Sequence, residues 1–422
     1  MARIDAVPSA DMPITAADGT PLKKKLAQAL FRSRLRATGL VLPLLAFVMA
    51  SFVIPILALM WQGVYNDTFA RYTPNLTQEL QKWDGVSQPS EEMFVALVAD
   101  IKIARKDKTI GRIATRVNQE LPGTRSLFTS TARKVKRATQ PYAESMVKIN
   151  KKWGQLDVWQ AMKLTSQSLT PGFYATSLDK KYTVDQGFIN QVENRQIYVK
   201  LFWRTLLISG SVMLLCLLLG YPVAYLLATL PLRYSNLLMI MVLLPFWTSL
   251  LVRTTAWIAI LQSQGVVNDV LVWIGITGDE SRFSLIYNMT GTIIAMTHIL
   301  LPFMILPLYS VMKTIPSSYM RAARSLGATP TRAFLKIYMP QTIPGVGAGC
   351  LLVFILAIGY YITPALVGGQ DGQLISNMIA YHMQKSLNWS LAAALGGILL
   401  AGVLFLYWAY DRIIGIDNMK LG

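Results

Sequence analysis

The chain has 422 residues, 53% of them apolar, with a mean hydropathy of +0.41, and only 15% carry charge. So little charge cannot cover a water-soluble protein of this length, and uncharged runs of twenty residues or more read as a membrane bundle, which excludes a soluble enzyme, a disordered chain and a disulfide scaffold. The net charge of +18, from 40 Lys+Arg against 22 Asp+Glu, fits cytoplasmic loops rich in Lys and Arg, and with no recognition motif beside it nucleic acid is excluded as a partner.

Residues 1–36 read as a cytoplasmic N-terminal tail. Residues 1–22 are polar and small, with Pro8, Pro13 and Gly19, and read as disordered. A basic cluster follows: Lys23, Lys24, Lys25, Arg32, Arg34 and Arg36. Residues 37–62 carry no charge and are long enough to span a bilayer with some tilt. The run is too long for the apolar part of a signal peptide, and no small-residue cleavage site follows it. It reads as the first spanning helix, with its N-terminus in the cytoplasm.

Residues 66–198 are polar, with no spanning run. Apolar residues recur at three and four over 91–119 and 131–164, which predicts helices there. This insert holds 20 Lys+Arg and 13 Asp+Glu, and the topology places it outside the cytoplasm. Its basic excess does not oppose that, because long loops translocate largely regardless of charge.

Residues 200–415 form a second apolar block. Spans are expected at 205–232, 237–260, 284–312, 338–367 and 392–410, giving six in all with both chain ends cytoplasmic. No acid falls inside them in this reading. The loop 313–336 holds Lys313, Arg321, Arg324, Arg332 and Lys336 with no acid, so it faces the cytoplasm. The breaks 262–283 and 368–387 carry Asp269, Asp279, Glu280 and Asp371 against Arg282 and Lys385, which fits the opposite side. Cys216 and Cys350 lie in apolar runs and read as small hydrophobes, without a disulfide framework or a metal site.

The cytoplasmic loop divides at a breaker. A helix is expected from Pro316, capped by Ser317 or Ser318, with Ala322, Ala323 and Leu326 as a small apolar face. Gly327 stops it, and Thr329 caps a second helix with Pro330 at its first position. Such a helix suits docking into a groove on a soluble partner; a plain interfacial helix is the competing reading from spacing alone.

The segment 313–340 resembles the EAA loop of ABC importer permeases: Glu-Ala-Ala, three residues, Gly, then about nine residues to Ile, any residue, Leu-Pro. Ala322, Ala323, Gly327, Ile337 and Pro340 fall in register, while Arg321 stands where Glu is usual and Met339 where Leu is usual. The runs 244–253 with Ala256-Trp257, 265–268, 301–309 and 364–369 are similar to stretches of spermidine/putrescine-type permeases. Permeases for iron, sulfate, phosphonates and opines share parts of them. The resemblance covers about half the chain and leaves out the insert.

What the resemblance implies is an all-α membrane protein of type I ABC importer permease architecture, with the mostly helical insert between helices 1 and 2. It implies a bacterial inner-membrane subunit that does no covalent chemistry. Its partners would be an ABC ATPase dimer that binds ATP and Mg, a second permease subunit and a periplasmic solute-binding protein. No GxxxxGK occurs in this chain, which therefore is not expected to hold a nucleotide cofactor itself. Arg321, Ala322, Ala323, Arg324, Leu326, Gly327 and Ala328 become the candidate handle for the ATPase. The expected solute is a polyamine, with an opine or other amino compound as alternative. A secondary transporter is more remote, since it would show internal repeats and coupling-ion carboxylates in its spans.

Three further residues are candidates for the translocation path or a gate. Arg253 lies inside an expected span, where charge is costly and usually faces a bundle interior or water. Trp247 and Trp257 offer ring faces to a cation, with helix packing or an interfacial belt as the competing reading. Asp269 and Glu280 could attract cations at the outer mouth. His298 has no second ligand spaced for a metal and reads as a bundle histidine. The insert could meet the binding protein, brace a permease dimer or serve neither.

Overall fold

A computed structural model describes residues 22–414, so the expectation of disorder over 1–22 falls, except for Leu22, outside the described residues. The basic cluster is helical: the helix Leu22–Val48 runs through it into the first apolar stretch. Lys, Leu, Ala, Gln and Arg are strong helix formers, and no Gly or Pro interrupts them before Gly39. A π-helical turn, Met49–Val53, precedes the helix Ile54–Gln62. Pro55 lacks an N–H, and the wider turn absorbs that missing donor.

The insert is helical with its own core. Helices Thr68–Tyr72, Pro74–Lys82, Glu91–Lys106, Ile110–Glu120, Thr124–Lys134, Tyr142–Ile149, Leu156–Ser166 and Gly172–Ser177 follow one another. A short antiparallel pair, Lys180–Thr183 with Gly187–Asn190, closes it. Each long predicted helix is broken. The first breaks at Lys108, whose φ of 58° turns the chain. The second breaks at Pro141, which has no donor to continue a helix.

Aromatic rings centre the insert core. Phe94 meets Trp159 edge-on at 4.7 Å, and Phe128 meets Trp153 at 5.3 Å. Both indoles are fully buried and both are paired. Trp153 Nε1 donates to Thr131 Oγ1 at 2.9 Å, and Trp159 Nε1 donates to the Trp153 carbonyl at 2.8 Å. Buried Asp100 accepts from Leu76 N and Asn75 Nδ2, both at 2.8 Å, at the start of Pro74–Lys82. A negative group there also meets the positive end of the helix dipole.

Asp179 joins insert to membrane core. Its carboxylate accepts from the backbone N–H groups of Ile197, Tyr198 and Val199 at 3.1, 3.0 and 2.9 Å. These are orphan donors at the start of the helix Tyr198–Thr229.

Among the described residues, five helices are long and apolar enough to cross a membrane: Ser33–Gln62, Tyr198–Thr229, Leu250–Trp273, Met289–Thr314 and Trp389–Arg412. A sixth arises when Pro330–Gln341 and Ile343–Gly359, bent by 59°, count as one. Two spans are shifted from their expected places. The stretch 237–260 is cut by Pro245, a 3-10 turn Leu244–Trp247 and the Ser249 cap, so the span begins at Leu250. It then reaches past 260 and contains Asp269, which corrects the reading that no acid lies in a span. The stretch 338–367 breaks at Tyr360, and Ile362–Val367 is a separate short helix.

Three helices, Tyr198–Thr229, Met289–Thr314 and Met339–Gly359, make the membrane core. Val212, Cys216, Met296, Met304, Leu308, Val353 and Ala357 meet in it with essentially no exposure. Gly345 and Gly349 set the closest approach. A Cβ on Gly345 would lie 3.0 Å from Val311 Cβ, and one on Gly349 would lie 2.7 Å from Met304 Sδ. Small residues four apart let membrane helices approach closely where lipid gives no hydrophobic drive.

Candidate functional site

The basic loop 313–340 is a helix, a turn and a second helix. The helix Ser317–Ser325 starts after Pro316 with no side-chain cap, so the expected Ser cap is absent. Gly327, at φ +88°, ends it. Leu326 N donates to the Ala322 carbonyl, Gly327 N to Arg324 and Ala328 N to Ala323, at 3.0 to 3.1 Å. Thr329 Oγ1 then accepts from Arg332 N at 3.3 Å with Pro330 next to it, so the chain reverses into Pro330–Ala333.

This turn presents its small face outward. Arg321, Ala322, Arg324, Leu326 and Gly327 are exposed, and Ala323 and Ala328 are half-buried. Leu326 is 88% exposed, an apolar side chain with nothing over it. Beneath lies an aromatic floor that spacing had not singled out. Tyr225 meets Phe334 at 5.4 Å and Tyr338 at 5.3 Å, both edge-on, and Phe334 stacks on Tyr338 at 5.6 Å. The signal was present: Phe334 and Tyr338 stand four apart, one π-turn of chain. A groove of about 700 Å³ runs between floor and helix, with Lys313, Arg321 and Arg324 on its rim.

The second set of candidates lies in the span that starts at Leu250. Ser249 Oγ accepts from Val252 N at 3.2 Å and starts the helix Leu250–Leu261. Arg253 and Trp257, four apart, share one face of it. Trp257 Nε1 donates to His298 Nδ1 at 3.1 Å, which gives that histidine its partner. Arg253 is half-buried, and its Nε is buried with no hydrogen-bond partner. Buried Thr254 sits 3.2 Å, oxygen to oxygen, from Thr363 in the short helix beyond the Tyr360 break.

Trp247 does not join this group. It lies on the preceding 3-10 turn and is 75% exposed. At the far end of the span, Asp269 and Asp279 are both bound by Arg282, each at 2.7 Å, and the one guanidinium leaves the trio a net negative charge. No cluster of three metal-ligating side chains occurs among the described residues.

A helical membrane core with a basic, outward-facing turn matches a known family. The model for the binding-protein-dependent transport system inner membrane component matches residues 217–414. The spermidine/putrescine transport system permease protein PotB of Haemophilus influenzae is 34% identical over 221 residues, 52% of this chain and 77% of that protein. The chain belongs to this permease family. PotB of Escherichia coli is also 34% identical, over 54% of this chain and 87% of the relative. The inner membrane ABC transporter permease protein YdcU of Escherichia coli is 32% identical over 50% of this chain and 70% of the relative. Among solved structures, a bacterial alginate ABC transporter aligns with a TM-score of 0.42 at 18% identity, over 53% of this chain and 80% of that one. As an ABC importer permease the chain is a multi-pass inner-membrane protein. The family match begins at 217 and leaves the insert outside it.

Proposed function

We propose that this permease carries a polyamine, spermidine or putrescine, from a periplasmic binding protein through a pathway shared with a second permease subunit. ATP and Mg bind on a separate ATPase dimer, and the chain performs no covalent chemistry. The relatives named for spermidine and putrescine support the solute. The observation that carries the mechanism is the exposed turn Ala322–Gly327, set on its aromatic floor and open to a partner.

A force on that turn reaches the membrane core through short, stiff links. Phe334 and Tyr338 touch Tyr225 on the helix Tyr198–Thr229, and Tyr221 Oη lies 3.1 Å from Thr342 Oγ1 at the 59° bend. Packed helices switch between discrete arrangements rather than deform smoothly, so an ATPase that closes on the turn shifts the bend as a unit. In this reading Arg253 and Trp257 face the path, and the break at Tyr360 gives the path its irregular wall. Cytoplasmic chain ends and a periplasmic insert follow from the same orientation.

The test is uptake of labelled spermidine by vesicles holding this permease with its ATPase, second permease and binding protein. Saturable, ATP-dependent uptake competed by putrescine is expected. Uptake competed by a zwitterionic amino compound and indifferent to putrescine would overturn the solute assignment.

A further inference from the structure

A cleft separates the insert from the membrane core near the head of Tyr198–Thr229. It comprises two adjoining cavities of about 550 and 440 Å³ that share Thr115, Gln119 and Asn388. The helix Ile110–Glu120 of the insert forms one wall, and the stretch 382–391 of the core forms the other.

Four cations converge on the smaller cavity from four elements. Arg125 comes from Thr124–Lys134, Lys181 from the β-pair, Arg195 from the turn Glu193–Arg195, and Lys385 from the core just past Ile375–Gln384. Among the described residues none of the four makes an ion pair. The acid that lines the cavity, Glu120, is already taken by Arg116 Nη1 at 2.9 Å. Arg116 is only 2% exposed and lines the adjoining cavity with its guanidinium 4.8 Å from the Phe173 ring centre. Its Nε and Nη2 have no hydrogen-bond partner, nor has Gln119 Oε1 beside it. A buried guanidinium with two open donors is costly until something accepts from it.

We propose that this cleft binds a phosphate-type oxyanion, carried by a lipid headgroup or free in solution, and that the bound anion clips the insert to the membrane core. Left empty, three cations of the insert repel Lys385 of the core; an anion among them turns that repulsion into a cross-link. The cavity has the size of a small ligand and excludes a folded partner. Its depth suits a headgroup as well. Trp389, 47% exposed, opens a span beside the cleft, and exposed aromatic residues at span ends mark the level of the lipid headgroups.

The experiment uses the full-length protein, purified and stripped of lipid. One arm titrates inorganic phosphate at constant ionic strength set with sodium chloride. The other compares nanodiscs of phosphatidylglycerol with nanodiscs of phosphatidylcholine. Hydrogen exchange of residues 180–198 reports how firmly the insert is held. A triple variant, Arg125→Gln, Lys181→Gln, Lys385→Gln, alters exposed side chains and leaves every core contact in place. Protection of the original chain is expected in one arm, and the arm that responds identifies the source of the anion. In the variant the half-effect concentration rises about tenfold or more per cation lost. Equal protection of chain and variant, or no protection in either arm, would overturn the proposal.

Discussion

Asp100 shows how a single side chain sets a pH response. It is fully buried, and burial holds its carboxyl above the ordinary range in spite of the bonds from Leu76 and Asn75. The folded insert therefore resists ionising a group that ionises freely once unfolded. Its contribution is complete below the unfolded value, about 4, and is lost as pH rises through the raised folded value. Asp100→Asn keeps an acceptor for Leu76 N and cannot ionise. Amide protection over Pro74–Lys82 should fall in the original chain as pH rises above about 4 and stay flat in the variant. Equal slopes would contradict this account of Asp100. Arg253 makes a second prediction at this scale. Arg253→Met should cut uptake about tenfold or more while leaving ATPase association intact, as expected of a group met only along the path. Co-purification with the ATPase, measured beside uptake, separates the two effects.

Among the helices, packing and breaks decide the outcome. Gly349→Val would force a Cβ against Met304 Sδ at 2.7 Å and against the Met304 carbonyl at 3.2 Å. Such overpacking costs about 1–3 kcal/mol, so the unfolding midpoint in detergent should drop. Gly396→Ala, with nothing within 4 Å of the new Cβ, should leave it unchanged. The sequence showed the apolar runs, the basic turn and the Gly327 stop, because charge and Gly or Pro mark these locally. It did not show where the third span begins or where the fifth ends. Hydropathy runs smoothly across Ser249 and Tyr360, and the turn and cap at one and the break at the other divide them. Of the candidate site residues, Arg253 and Trp257 were legible as a helical pair. Trp247 looked equivalent in sequence, yet it lies on a separate 3-10 turn before the helix that carries them. The Trp257–His298 bond joins residues 41 apart, and no local pattern announces such a pair. At the basic turn, Leu326→Glu should abolish ATPase association without unfolding the chain, since Leu326 is 88% exposed. Thermal unfolding together with pull-down of the ATPase checks both halves of that statement.

For the molecule as a whole, the parts divide the labour. The insert has its own aromatic core and is tied to the first core helix through Asp179. The core carries the bent pair Pro330–Gln341 and Ile343–Gly359, and the basic turn Ala322–Gly327 is mostly exposed. The central claim is that a separate nucleotide-driven subunit moves the gate by gripping Ala322–Gly327. Its most direct test is solute accumulation in vesicles with ATP, comparing three preparations: the permease pair with ATPase, the pair without it, and the full complex carrying Ala323→Asp. Accumulation in the first and none in the other two is predicted; accumulation without the ATPase, or undiminished accumulation with Ala323→Asp, would contradict the account.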